Sequence, residues 1–169
     1  MWLFHKTTVL SRSGLLKGMV DCHSHLLPGV DDGVQSMEES LQILREMEQQ
    51  GIPRVWLTPH IMEDIPNETL ALQRKFRELL QQYRGAVELK LAAEYMLDNL
   101  FEERLEKEDL LLLEEGKRFL LVETSYFNPP MDFLSVLQRI QKKGYYPLLA
   151  HPERYEYMQK EDYNTLKEE

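Results

Sequence analysis

His23 and His25 stand two residues apart in Val20-Asp-Cys-His-Ser-His-Leu26, a stretch whose make-up suits a β-strand. Side chains at i and i+2 share one face of a strand, so Asp21, His23 and His25 are expected on the same side. Two imidazoles so placed form a ready pair of metal ligands. Pro28-Gly29 then turns the chain, and Asp31 and Asp32 follow on a loop from which a carboxylate can fold back toward a cation. For this pair alone, an ordinary polar strand is the competing reading. The chain holds five histidines, and a face that buries an aspartate and two of them must give them partners.

The elements that must position these groups follow in order. Ser36-Met-Glu-Glu39 is a capping box ahead of a helix in which Met37, Leu41, Leu44 and Glu48 follow at helical spacing, with Ile43 and Met47 widening the apolar stripe, and which stops at Gly51. Arg54-Val-Trp-Leu-Thr58 predicts a short strand closed by Pro59-His60. Asn67 is the expected N-cap of a helix carrying Leu72, Phe76, Leu79 and Tyr83, with Gly85 after it. Val87 to Ala93 predicts a strand leading into Glu94, and Asp98 to Leu105 a helix. Arg118 to Val122 predicts a strand running into Glu123. Pro129-Pro130 opens a helix bearing Phe133, Val136, Leu137 and Ile140, with Gly144 just past its end. Tyr146 to Ala150 predicts a strand ending at His151, and a last helix is expected near Glu161. Strands alternating with helices predict an α/β fold with a parallel sheet or barrel.

Each expected strand closes on a metal-binding side chain: His23 and His25, then His60, Glu94, Glu123 and His151. In a parallel barrel the C-terminal strand ends converge on one face, where active sites sit. Asp32 adds a carboxylate from the first loop. Four imidazoles and three carboxylates exceed the needs of one ion, so a cluster of at least two is expected. The mixture suits manganese, iron or zinc better than calcium. Such clusters clamp the attacking and leaving oxygens of a phosphoryl group. Arg154 follows the last strand end and is placed to grip a phosphate; a surface arginine paired with Glu153 is the alternative. Cys22 lacks the arginine that a cysteine-based phosphatase needs, since Pro28 stands where that spacing requires it, and is read as a core residue.

Composition narrows the function classes. The 169 residues are 43% apolar, enough for one sizeable core. A net charge of −9 argues against a nucleic-acid binder. One cysteine permits no disulfide within the chain and fits a reducing compartment. No apolar run reaches the length needed to cross a membrane, and Met1-Trp-Leu-Phe-His-Lys6 is too short a patch for a signal peptide. A cytoplasmic protein is expected, with residues 1–18 as an N-terminal arm and 19–169 as the domain.

Asp21-Cys-His-Ser-His-Leu-Leu-Pro-Gly-Val-Asp-Asp-Gly33, Thr58-Pro-His60, Ala92-Ala-Glu-Tyr-Met-Leu-Asp98, Leu121-Val-Glu123 and Leu149-Ala-His-Pro-Glu-Arg-Tyr155 resemble the metal-dependent protein-tyrosine phosphatases of bacterial capsular and exopolysaccharide loci, within the polymerase-and-histidinol-phosphatase (PHP) superfamily. The resemblance implies a distorted, TIM-like (β/α)7 barrel with a two- or three-ion site favouring manganese. It implies hydrolysis of phosphotyrosine on the tail of a tyrosine autokinase that controls polysaccharide export. It would make His23, His25, Asp32, His60, Glu94, Glu123 and His151 metal ligands and Arg154 the phosphate-binding residue. Another phosphoesterase acting on a small metabolite, or an impaired kinase-binding module, is the alternative on the same scaffold. The family pattern continues through further βα units to a terminal aspartate–histidine pair that this sequence does not reach. An open sheet edge beside the first or fifth stave, inviting self-association, is therefore expected.

Overall fold

The computed structural model describes residues 13–114, 116–159 and 161–162. The helix expected near Glu161 falls largely outside them, as does most of the expected N-terminal arm. Within them the order is β1 (Val20–Ser24), α1 (Met37–Gln49), β2 (Arg54–Leu57), β3 (His60–Ile61), α2 (Thr69–Gln82), β4 (Glu88–Leu91), β5 (Glu94–Met96), α3 (Asn99–Lys107), β6 (Phe119–Glu123), α4 (Phe133–Lys142), β7 (Tyr146–Leu149) and a 3-10 turn at Pro152–Arg154.

All strand pairs are parallel. One sheet runs β1-β2-β4 and the other β3-β5-β6-β7. The second and third expected strands are thus each followed, past Thr58-Pro59 and Ala92-Ala93, by a further short strand that the pattern did not predict. Pro59 has no N–H to give a ladder. Hydrogen bonding nevertheless carries across both breaks: Ala92 N–H donates to Leu57 O at 2.9 Å and Glu94 N–H to Pro59 O at 3.1 Å. The two middle staves therefore pass from one sheet into the other, and the whole surface curls. β1 and β7 are end strands of their sheets. Tyr146 and Leu148 are exposed along β7.

Local chemistry accounts for most helix ends. Ser36 Oγ accepts from Glu39 N–H at 3.2 Å, and Glu38 and Glu39 face the positive end of α1. Gly51 and Gly144 both take positive φ just past α1 and α4, where a Cβ would be strained. Asp98 caps α3 by accepting from Phe101 N–H at 2.9 Å. Asn67 does not cap α2. Glu68 holds that position without a side-chain bond, and Asn67 instead donates through Nδ2 to Val30 O at 2.8 Å and His60 O at 2.9 Å. An amide can bridge two carbonyls, and here one belongs to the loop after β1 and the other to the first residue of β3.

Leu44, Val55, Leu57, Ile61, Leu72, Leu79, Leu120, Val122 and Ile140 are buried where the staves meet the helices. Leu16 also packs against this core, and Gly18 N–H donates to Gly51 O at 2.8 Å. Ser40 is wholly buried and donates to Leu26 O at 2.7 Å, fixing α1 to the loop after β1. The opposite side of the staves holds a smaller cluster of Ala92, Leu113, Leu121 and Ala150, flanked by Trp56 and Phe119. Beside it opens a cleft of about 910 Å³ whose wall includes Val20, Cys22, Trp56 and Lys90. Cys22 is therefore exposed and not a core residue. It does sit off the histidine face, but that side of β1 looks into the open cleft. Among the described residues, no helix is long and apolar enough to cross a membrane.

Candidate metal centre

A bulge in β1 sets the first two candidate ligands. Asp21 pairs with Val55 and Ser24 with Leu57, so β1 spends three steps where β2 spends two. Ser24 fastens the strand beyond the bulge: its Oγ donates to Trp56 O at 2.8 Å, and its N–H donates to Thr58 Oγ1 at 3.1 Å. Simple alternation does not survive the bulge. Asp21 is not among the residues lining the site cleft; its carboxylate accepts from His23 N–H at 3.1 Å.

The other groups arrive from separate staves. His60 opens β3 and Glu94 opens β5, directly paired in register, while Glu123 closes β6. His151 follows β7 with φ of 30°, a strained setting for a residue with a Cβ. The neighbouring segment holds it there: Arg154 N–H donates to His151 O at 2.9 Å, and the Tyr155 ring stands edge-on to the imidazole.

Their side chains meet. Glu94 is wholly buried, with Oε2 at 2.9 Å from His23 Nε2 and 3.2 Å from His25 Nε2; the two imidazole nitrogens are 3.2 Å apart. His60 Nδ1 lies 2.9 Å from Glu123 Oε1 and 3.3 Å from Glu94 Oε2, and its Nε2 lies 3.6 Å from Asp32 Oδ1. His151 Nε2 lies 2.9 Å from Glu94 Oε1 and 3.5 Å from Glu123 Oε2. The structure therefore brings together all seven side chains singled out as ligands. Arg154 is exposed at the mouth of the same cleft.

Two observations test whether these donors fit cations. Ligands about 2.1 Å from a common ion at right angles to one another lie about 3.0 Å apart. The His23–His25–Glu94 triangle has edges of 2.9–3.2 Å. Further groupings suited to an ion are His60–Glu94–Glu123 and His25–Asp32–His60. The second observation is unmet bonding. His60 Nδ1, His151 Nδ1, Glu94 Oε1 and Glu123 Oε1 are buried without a hydrogen bond. Buried polar atoms are costly when unsatisfied, and a cation among them removes that cost. Nitrogen and carboxylate donors without a thiolate suit manganese, iron or zinc.

The charges are strongly coupled. Burial alone would push the His25 imidazole down, but hydrogen bonds to Asp31 and Glu94 and their negative charge hold it up, at about 10. His60 moves up against its own burial because of Glu123 and Glu94. Burial would raise Glu94, yet the imidazoles of His23 and His25 hold it well below the usual carboxylate range.

Asp31 was not singled out from Asp32 as a site residue by sequence, and it proves central. Its side chain is fully buried; Oδ2 lies 2.8 Å from His25 Nδ1 and accepts from His60 N–H at 3.0 Å, and Oδ1 accepts from Gly33 N–H at 3.0 Å. Asp31 thus aims Nε2 of His25 into the cluster. Gly33 is required beside it, since a Cβ there would lie 2.4 Å from both Cβ and O of His25. Asp32, by contrast, is largely exposed, with Oδ1 3.6 Å from His60 Nε2. Two adjacent aspartates give no sequence signal for which faces in. Asp31→Ala is expected to weaken divalent-ion binding by about 10- to 100-fold. Competition against a coloured chelator measures this, and unchanged affinity would reduce Asp31 to a loop brace.

Comparisons with known proteins agree with this geometry. The family described as "Capsular polysaccharide synthesis, CpsB/CapC" matches residues 19–168. The tyrosine-protein phosphatase CpsB of Streptococcus pneumoniae is 34% identical over 144 residues, covering 82% of this chain and 58% of that protein. The tyrosine-protein phosphatase YwqE of Bacillus subtilis is 30% identical over 140 residues, covering 80% and 55%. A solved structure from the pair YwqE and CpsB, described as unique metal-dependent tyrosine phosphatases, superposes with a TM-score of 0.73 at 29% identity, covering 80% of this chain and 56% of its own. The chain spans a little over half the length of these relatives. With the histidines and carboxylates gathered at the strand ends and the family pattern matched from residue 19 onward, this chain belongs to the CpsB/CapC family of capsular polysaccharide synthesis proteins.

Proposed function

We propose that this chain carries the metal-binding part of a metal-dependent protein-tyrosine phosphatase. The observation that supports it best is the convergence of four histidines and two buried glutamates, with unmet bonding among them, beneath an exposed arginine. His23, His25, Asp32, His60, Glu94, Glu123 and His151 would hold two or three ions, manganese foremost, with iron or zinc as alternatives. Bound divalent ions supply Lewis acidity toward a phosphoryl oxygen and ease the loss of a proton from water. Asp31 keeps His25 oriented, and Glu94 faces two of the candidate ion positions. Arg154 meets the phosphate with a fork of donors that match its oxygens. A phenolate leaves readily, having a pKa of about 10, so little protonation is asked of the protein.

On this reading residues 19–169 form part of a distorted (β/α)7 PHP barrel behind an arm at 1–18. The protein acts in the cytoplasm, and its substrate is the phosphotyrosine tail of a bacterial tyrosine kinase in capsule or exopolysaccharide synthesis. Elemental analysis paired with hydrolysis of phosphotyrosine and phosphoserine peptides tests this. Manganese-dependent release from the phosphotyrosine peptide is expected, and hydrolysis that survives EDTA would defeat the reading. Arg154→Ala is expected to leave the metal content unchanged and to lower kcat/KM by roughly 10- to 100-fold, the cost of one charged hydrogen bond to phosphate. Metal loss in that variant would make Arg154 structural.

A further inference from the structure

The cleft above the cluster has one wall that neither binds charge nor suits an ion. Among the described residues lining it, Tyr126 alone is neither charged nor an imidazole. Its ring stands edge-on to His151 at 5.6 Å between centroids, and 37% of the residue is exposed. Phe127 beside it is 65% exposed. Arg154 Nη1 donates to the Tyr126 hydroxyl at 3.4 Å, so the arginine and the ring share one side of the mouth.

Tyr126 is held in place before any ligand arrives. Glu156 N–H donates to Tyr126 O at 2.8 Å, and Thr124 N–H donates to the Tyr155 hydroxyl at 3.3 Å. Tyr155 in turn donates to Ala150 O at 2.9 Å, and the Thr124 and Tyr157 hydroxyls are bonded to each other. The loop after β6 is thus sewn to the segment after β7. The first carries Tyr126 and the second carries His151 and Arg154.

Resting on the phosphatase reading above, we propose that Tyr126 selects aryl over alkyl phosphates. Its ring is the platform for the phenyl group of the substrate while its hydroxyl steadies Arg154 against the phosphate. A phosphate seated between Arg154 and the cluster leaves the ester substituent at the mouth. There, offset or edge-on contact with an aromatic face rewards a phenyl ring and offers a serine methylene little. The two functions of Tyr126 are separable, because the ring and the hydroxyl can be removed independently.

The experiment uses metal-loaded protein and two readouts. The first is calorimetric affinity for phenylphosphonate against methylphosphonate, neither of which can be hydrolysed as an ester. The second is kcat/KM on phosphotyrosine against phosphoserine peptides. Tyr126→Leu is expected to reduce the aryl-to-alkyl preference about tenfold in both. Tyr126→Phe is expected to keep that preference while weakening aryl and alkyl ligands alike. Equal losses on aryl and alkyl ligands in Tyr126→Leu, or no change, would overturn the proposal. Wild-type protein that prefers phenylphosphonate, loses that preference in Tyr126→Leu and hydrolyses nothing would defeat the phosphatase reading and leave aryl selection standing. Active protein whose Leu variant keeps the full aryl preference would do the reverse.

Discussion

Glu94→Gln is expected to strip most bound metal and to lower phosphotyrosine hydrolysis by roughly a hundred- to a thousandfold. Glu94 has no exposed surface and touches His23, His25, His60 and His151 within 2.9–3.3 Å. It belongs to two of the candidate ion groupings, so losing its charge weakens both at once. Glutamine keeps the volume and one carbonyl oxygen, which removes cavity formation as an explanation. The effect on the fold should be smaller. Breaking a buried ion pair costs about 3–5 kcal/mol when the orphaned charge must stay, but imidazoles at neutral pH can give up their protons instead. Elemental analysis and thermal melts of the metal-free variant separate these effects. Full metal content in Glu94→Gln would show that the carboxylate only balances imidazolium charge.

Metal-free protein should be most stable in mildly acidic solution, and metal should stabilise it increasingly as pH rises. The His25 imidazole is raised from 6.5 to about 10, so its contribution is complete below pH 6.5 and erodes as pH climbs toward about 10. Glu94 and Asp31 are lowered from 4.5 and 3.8, so their contributions are complete above those values and vanish as pH falls through the lowered ones. The shared plateau therefore runs from about pH 4.5 to 6.5. Metal ligands must shed their protons, so binding near pH 7 releases protons and strengthens with pH. Thermal melts from pH 4 to 9 with chelator or with manganese, plus calorimetry in buffers of different ionisation heat, test both halves. A metal-free melting temperature flat above pH 6.5 and binding without proton release would refute the linkage.

Much of this could be read in the sequence because it is local. Ser36, Gly51, Asp98 and Gly144 mark helix ends through bonds or dihedrals that a few neighbouring residues decide. The five staves followed from apolar runs between those marks, and the coming together of six side chains followed from their place at successive stave ends, with Asp32 added from the first loop. What escaped depends on distant partners. An extra residue in β1 has no meaning until β2 lies beside it, so alternation misplaced Asp21. The breaks at Thr58-Pro59 and Ala92-Ala93 arise where the second stave parts from the first and the third takes up the fourth. Asn67 is a good cap by type, but the carbonyls of Val30 and His60 claim its amide. Cys22 was assigned to the core because nothing in its own stretch reveals the cleft opposite. Tyr126, Tyr155 and Tyr157 had no periodicity or spacing to mark them.

The hand-over between sheets has a consequence for altering the protein. Below the breaks, Val55, Leu57 and Leu89 anchor β2 and β4 into the core; above them, His60 and Glu94 begin new short segments. The molecule is therefore modular along its staves. Apolar exchanges below Thr58 and Ala92 can retune robustness with little displacement of the reactive groups. Donor exchanges above them can redirect ion preference without rebuilding the framework. An engineer can evolve positions in the two ends that share no partners in separate libraries and recombine the winners, because such sites combine nearly additively; Trp56 and Thr58, which hold Ser24 beside the two histidines of β1, belong with the reactive end.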